Sequence, residues 1–147
     1  MSISGKVSDF YYEAKENKWY RYFAVFCRIT LAAAFIISGI VKIKGERFAA
    51  GLPVNNPIGH YFEALYYTEY YYTFLGISQV IIALLLLIPR TAFFGALLYF
   101  PVILNIVVLA HAMRFEGTRV TTFMLLANIY LLWWDFDRIK YILFTKP

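Results

Sequence analysis

The sequence predicts an all-α integral membrane protein, a four-helix up-down bundle with a short interfacial helix between its first and second spans. Three observations carry this reading. Hydrophobic residues make up 61% of the 147-residue chain and charged residues only 16%, whereas a water-soluble domain carries about 25% charged residues. The apolar residues gather into four long runs, and in lipid a helix is the form that satisfies the backbone of such runs internally. The basic residues sit at the ends of the runs, so the net charge of +5 reads as membrane patterning and not as a nucleic-acid groove. The chain is short enough for one domain, residues 1–147.

The spans are expected at about residues 22–43, 72–88, 91–112 and 120–134. A crossing takes roughly 20 residues, with about 17 as the lower limit. The second run is therefore just long enough, and the fourth has to borrow aromatic or snorkelling residues at its end. The first run is too long for a signal peptide and lacks a small-residue cleavage site, so it is expected to remain as a span. "IPRTA" (88–92) forms a tight turn, because Pro89 cannot continue the preceding helix. "MRFEGTR" (113–119) is a short polar loop. Short connections make neighbouring helices adjacent and antiparallel.

The longest connection contains "NNPIGHYFEALYYTEYYYTF" (55–74), with Asn56 as an N-cap and Pro57 at the first helical position. A surface helix over about 56–70 follows, its tyrosines suited to the headgroup zone and to contact with membrane lipids. The N-terminal "VSDFYYEAKENKWYRYF" reads as a second interfacial helix. Four spans put Lys6, Lys15, Lys18, Arg21, Arg90, Arg138, Lys140 and Lys146 on one side, and Lys42, Lys44, Arg47, Arg114 and Arg119 on the other. That imbalance predicts both termini in the cytoplasm.

The remaining basic residue, Arg28, lies inside the first span. At 100° per residue Arg28, Ala32, Phe35, Gly39 and Lys42 share a narrow stripe that would face the other helices. A charge in a span needs a partner, and Asp135 or Asp137 of "WWDFDR" lies at a matching depth. An Arg28–Asp135 pair is expected to clamp the first span to the fourth. Deeper, Gln79, Asn105 and Asn128 each bring one carboxamide, and Lys42 approaches the same outer half. Such groups either bond across helices or line a polar cavity. Pro101 removes a backbone bond beside Asn105 and would kink the third span.

His60 and His111 both fall on the outer side, but their spacing matches no metal-ligand motif, and no metal site is expected. No P-loop, dinucleotide fingerprint, nucleophile elbow or H-E-x-x-H occurs. The single Cys27 excludes an internal disulfide and a C-x-x-C pair. No self-contained catalytic centre is legible, which leaves enzymatic activity open.

"RITLAAAFIISGIVK" (28–42), a long loop with "PIGHY", then "GISQVIIALLLLIPRTAFFGALL" (76–98) and a closing "LLWWD" resemble the DoxX-like membrane family from Arg28 to Asp135. The resemblance implies a four-helix bundle of the bacterial cytoplasmic membrane. It also implies association with redox systems, since the family is named for a subunit that accompanies a thiosulfate:quinone oxidoreductase. Arg28, Gly39 and Lys42 match the arginine, glycine and lysine of the family's first helix. Gln79 stands where a glutamate is frequent, and an amide cannot titrate.

Two functions follow as expectations. In the first, the chain is a small redox-associated subunit that binds a quinone or another lipophilic ligand through Lys42, Gln79, Asn105 and Asn128. In the second, it is a non-catalytic scaffold, as a homo-oligomer or as an accessory subunit of a membrane complex. A transporter is disfavoured, because no inverted repeat is visible and no acidic residue lies within a span.

Overall fold

The structure, a computed structural model, describes residues 3–144, with side chains over 5–141. Lys146, one of the basic residues that set the expected orientation, lies outside the described residues. The described chain is all helical: α1 (Ile3–Glu16), α2 (Lys18–Ile43), α3 (Pro57–Tyr66), α4 (Tyr70–Leu87), α5 (Ala92–Ala112), α6 (Thr118–Trp134) and α7 (Phe136–Phe144).

Three of these, α2, α4 and α5, are long and apolar enough to cross a membrane. At about 1.5 Å per residue the 26 residues of α2 extend about 39 Å, longer than a ~30 Å hydrocarbon core. The helix starts at Lys18, earlier than its apolar run, because the Asn17 side chain accepts a hydrogen bond from Trp19 N and caps it. The 17 residues of α6 extend only about 26 Å. α3 begins where its sequence signals it, with Asn56 accepting from Ile58 N and Pro57 in the first turn. α5 runs through Pro101 as one helix, and the proline lies on its exposed side.

The packing forms a closed circuit in which α2 meets α4, α4 meets α5, α5 meets α6 and α6 returns to α2. The core is small residues around a few large ones: Leu31, Ala32, Phe35, Ala83, Leu86, Ala96, Tyr99, Ile103 and Leu131 are almost fully buried. Two glycine contacts bring the helices close. A Cβ on Gly39 would sit 2.7 Å from the Gly76 carbonyl oxygen, and one on Gly95 would sit 2.5 Å from Leu86 N. The opposite faces carry exposed Phe26, Ile37, Phe74, Leu84, Leu98 and Phe123, an outward apolar surface that suits lipid. α1 and α7 meet at one end of this circuit, and α3 lies at the other.

Candidate functional site

The stripe of α2 that the sequence marks is the buried one, and it carries polar groups at both ends. At the α1/α7 end Arg28 Nη2 lies 3.4 Å from Asp135 Oδ2, with only 19% and 13% of the two side chains exposed. Asp135 is the C-cap residue of α6, so this ion pair ties α2 to the end of α6. Asp137, two residues on, turns to α1 instead. Its Oδ2 accepts from Lys15 Nζ at 3.0 Å and from the Tyr11 hydroxyl at 3.1 Å, and the same hydroxyl reaches Trp134 O. Burial works against the Lys15 ammonium, but its hydrogen bonds to Tyr11 and Asp137 outweigh that and hold its pKa above the ordinary value. Burial likewise opposes ionisation of Asp137, and the hydrogen bond from Lys15 with its charge overrides this and lowers the carboxyl pKa.

At the α3 end Lys42 is 6% exposed. Its Nζ donates to Ser38 Oγ at 2.6 Å and to Ser38 O at 3.1 Å, and lies 4.6 Å from the Phe48 ring centre. Ser38 in turn donates to Gln79 Oε1 at 3.3 Å. An ammonium, a hydroxyl and an amide thus form one chain from α2 to α4. Among the described residues no carboxylate stands within ion-pair distance of Lys42. Ser38 is the member that the sequence reading left out. Its signal was the i,i+4 spacing from Lys42, which puts two side chains on one helix edge.

The structure separates the four residues expected to share a cavity. Lys42 and Gln79 are joined through Ser38. Asn128 is fully buried, but its Nδ2 donates to Ala96 O at 3.1 Å, between α6 and α5. It sits nearer Trp134 than Thr118, and so towards the α1/α7 end, not in the half where Lys42 lies. Between the two amide contacts stands a stacked pair, Phe35 on Tyr99, with ring centres 3.7 Å apart; the Tyr99 hydroxyl donates to Leu31 O. The expected common cavity is therefore divided by an aromatic layer. Among the described residues Asn128 Oδ1 is buried without a hydrogen-bond partner.

Asn105 is apart from all of these. The buried face of α5 runs through Phe93, Ala96, Tyr99, Ile103, Val107 and Ala110. Asn105, two residues past Ile103, is turned about 200° away and is exposed.

His60 and His111 are both exposed, and His111 Nδ1 contacts Val107 O of its own helix at 2.8 Å. Among the described residues no three His, Cys, Asp or Glu side chains are grouped to hold a metal. Two open clefts lie at the ends of the helices. One of about 460 Å³ is lined by Phe93, Phe94, Asp137, Arg138 and Tyr141. The other, of about 440 Å³, is lined by Gly45, Tyr66, Tyr67, Glu69, Tyr70, Tyr72 and Thr73.

No family model matches the chain, and no solved structure matches it. A protein of Bacillus subtilis (strain 168), described as uncharacterized protein YwoB, is 30% identical over 125 residues, covering 82% of this chain and 81% of its own. With that identity across four-fifths of both chains, the protein belongs to the YwoB family.

Proposed function

We propose that the protein is a four-helix integral membrane protein of the bacterial cytoplasmic membrane that acts as a non-catalytic assembly subunit, as a homo-oligomer or within a larger membrane complex. The observation that carries this reading is Asn105. It lies less than one turn from Val102, the middle of α5, on the outward side with Leu98, Leu104 and Val108. It makes no side-chain hydrogen bond to another described residue. At that depth lipid offers an amide no partner, whereas an amide from another helix stabilises association by about 1–2 kcal/mol in model peptides. The buried amides support the same reading, because Gln79 and Asn128 join helices within the chain.

Four crossings are favoured by parity. α1 and α7 share one end, linked by the Lys15–Asp137 pair, and an odd number of crossings would put them on opposite sides of the bilayer. α6 then crosses with α2, α4 and α5, helped by Trp133 and Trp134 at its end. Both termini face the cytoplasm on the distribution of basic residues, and α3 lies on the outer surface as a lipid-facing anchor. The DoxX-like resemblance suits an accessory subunit of this kind.

A second reading rests on Lys42. A buried ammonium with no carboxylate beside it, one hydroxyl away from Gln79, could seat the head group of a quinone or another lipophilic ligand. Native mass spectrometry of the gently solubilised full chain distinguishes the two. The assembly reading expects an oligomer or a co-purifying protein that Asn105→Leu releases as a folded monomer. A wild-type monomer that retains a quinone, lost in Gln79→Leu, would replace it with the second reading.

A further inference from the structure

The cleft at the α3 end is built differently from the rest of the surface. Four tyrosines line it (Tyr66, Tyr67, Tyr70 and Tyr72), together with Glu69. Two are fixed. Tyr72 is 2% exposed, its hydroxyl bound to Glu46 O and to Phe48 N, and Tyr66 packs edge-on against it at 5.8 Å. The other two are exposed: Tyr67, 71% exposed, packs edge-on against Tyr66 at 5.6 Å, and Tyr70 is 85% exposed. Glu69 has no ion-pair partner among the described residues, although Arg47 nearby is engaged by Glu63 at 3.8 Å. Glu69 also holds a backbone that side-chain-bearing residues avoid, with φ 49° and ψ −97°. Strain of that kind persists where the surroundings impose it, and it gathers at functional sites.

The fields at this point favour a cation. α2 ends at Ile43 and α3 at Tyr66, so the carbonyl ends of two helices come to the cleft, against the single N-terminus of α4 at Tyr70. Ring faces attract a cation through their quadrupole, and several rings around one carboxylate are the arrangement that takes up an alkylated ammonium. The volume of about 440 Å³ leaves room for such a group. This end of the chain has its own cations, but Lys42 is held by Ser38, Arg47 is engaged by Glu63, and exposed Lys44 makes no ion pair with Glu69.

We infer that the cleft between α3 and α4 is a binding site for an organic ammonium group, held by the faces of Tyr66, Tyr67 and Tyr70 and by the Glu69 carboxylate. This site is separate from the assembly face of α5. The ammonium can come from a small soluble amine or from the amine headgroup of a lipid.

The test is calorimetric titration of choline chloride into the full chain in phosphatidylglycerol nanodiscs, with sodium chloride as the reference titrant. Saturable choline binding is expected, weakened at least tenfold by Glu69→Gln and by Tyr70→Ala. Neither substitution removes a buried contact, so folding is preserved, and an unchanged melting temperature checks it. No saturable binding by the wild type, or equal binding by both variants, overturns the proposal. Repeating the titration in discs that contain phosphatidylethanolamine identifies the source. A several-fold loss of choline affinity there means that a lipid headgroup competes for the site, and an unchanged affinity means a soluble amine. Both outcomes uphold an ammonium site.

Discussion

Arg28 and Asp135 hold opposite charges 3.4 Å apart in a setting where both are largely covered, so the loss of one is felt chiefly through the other. Asp135→Asn leaves the Arg28 charge near the membrane without its counter-ion, at a cost of about 3 kcal/mol, and Arg28→Leu costs less, because Asp135 keeps Arg138 Nε at 4.0 Å. Replacing both with leucine removes the stranded charge together with its attraction. Thermal unfolding in detergent should therefore show two destabilised single variants and a double variant that recovers most of the loss. Additive losses would mean that the two residues act independently. The Lys15–Asp137 pair behaves differently, because it titrates at both ends. The Asp137 pKa is lowered, so its contribution is present above the unfolded carboxylate value of about 3.9 and fades as the pH falls through the lower folded value. The Lys15 pKa is raised, so its contribution is present below about 10.4 and fades as the pH rises through the higher folded value. Docking of α1 on α7 should thus be constant between about pH 4 and pH 10 and loosen outside that window. Tryptophan fluorescence reports it, since Tyr11 stacks edge-on at 5.4 Å from Trp133. A Lys15→Met chain should lose the Lys15 part of the alkaline transition and keep that of Tyr11, whose pKa burial also raises. Of these two pairs only Arg28–Asp135 was legible beforehand. An arginine inside an apolar run demands a partner at its own depth, whereas Lys15, in a polar segment outside any apolar run, makes no such demand.

The helices that face hydrocarbon on one side hold together on the other by close approach, and α2 against α4 is the reciprocal case. Gly39 and Gly76 oppose each other so that a Cβ on either would come within 2.7 Å of the other's carbonyl oxygen. Backbone cannot yield as a flexible side chain can. Gly39→Ala and Gly76→Ala should each push the helices apart and cost about 1–3 kcal/mol, seen as a fall in melting temperature in detergent. Gly5→Ala, where nothing lies within 4 Å, is the matched control and should change little. The small-residue stripe of α2 was readable from its 100° spacing, and so were the existence of the long helices and the start of α3 at its Asn-Pro signal. The depth of the amides was not readable. Asn105 and Asn128 were grouped with Gln79 on count along the chain alone, but the rotation of α5 and the stagger of α6 are set by packing around Phe35 and Tyr99. α7 is not legible in the sequence, because nine residues that mix Asp137, Arg138 and Lys140 with aromatics carry no span signal.

For the molecule as a whole, the decisive question is whether α6 crosses, since its 17 residues are the minimum for a span. With three crossings α1 and α7 would face opposite compartments, and Lys15 could not lie 3.0 Å from Asp137. That ion pair argues for four crossings from outside the membrane, independently of hydropathy. Other contacts at this end hold α6 in place, Arg28 on Asp135 and Tyr11 on Trp134 O. The prediction is a labelling pattern in intact cells. Cys27 is buried, and Cys27→Ala gives a background free of thiols. Single cysteines at Lys6, Glu116 and Lys140 then report on α1, the α5–α6 loop and α7. A membrane-impermeant maleimide should label the cysteine at Glu116 in intact cells, and those at Lys6 and Lys140 only after the membrane is opened. Labelling at Lys140 but not at Lys6 would mean that α6 returns without crossing, which would take the α1–α7 contact with it. Labelling at Lys6 and Lys140 but not at Glu116 would keep four crossings and invert the orientation, moving the tyrosine cleft of α3 and α4 to the cytoplasmic face.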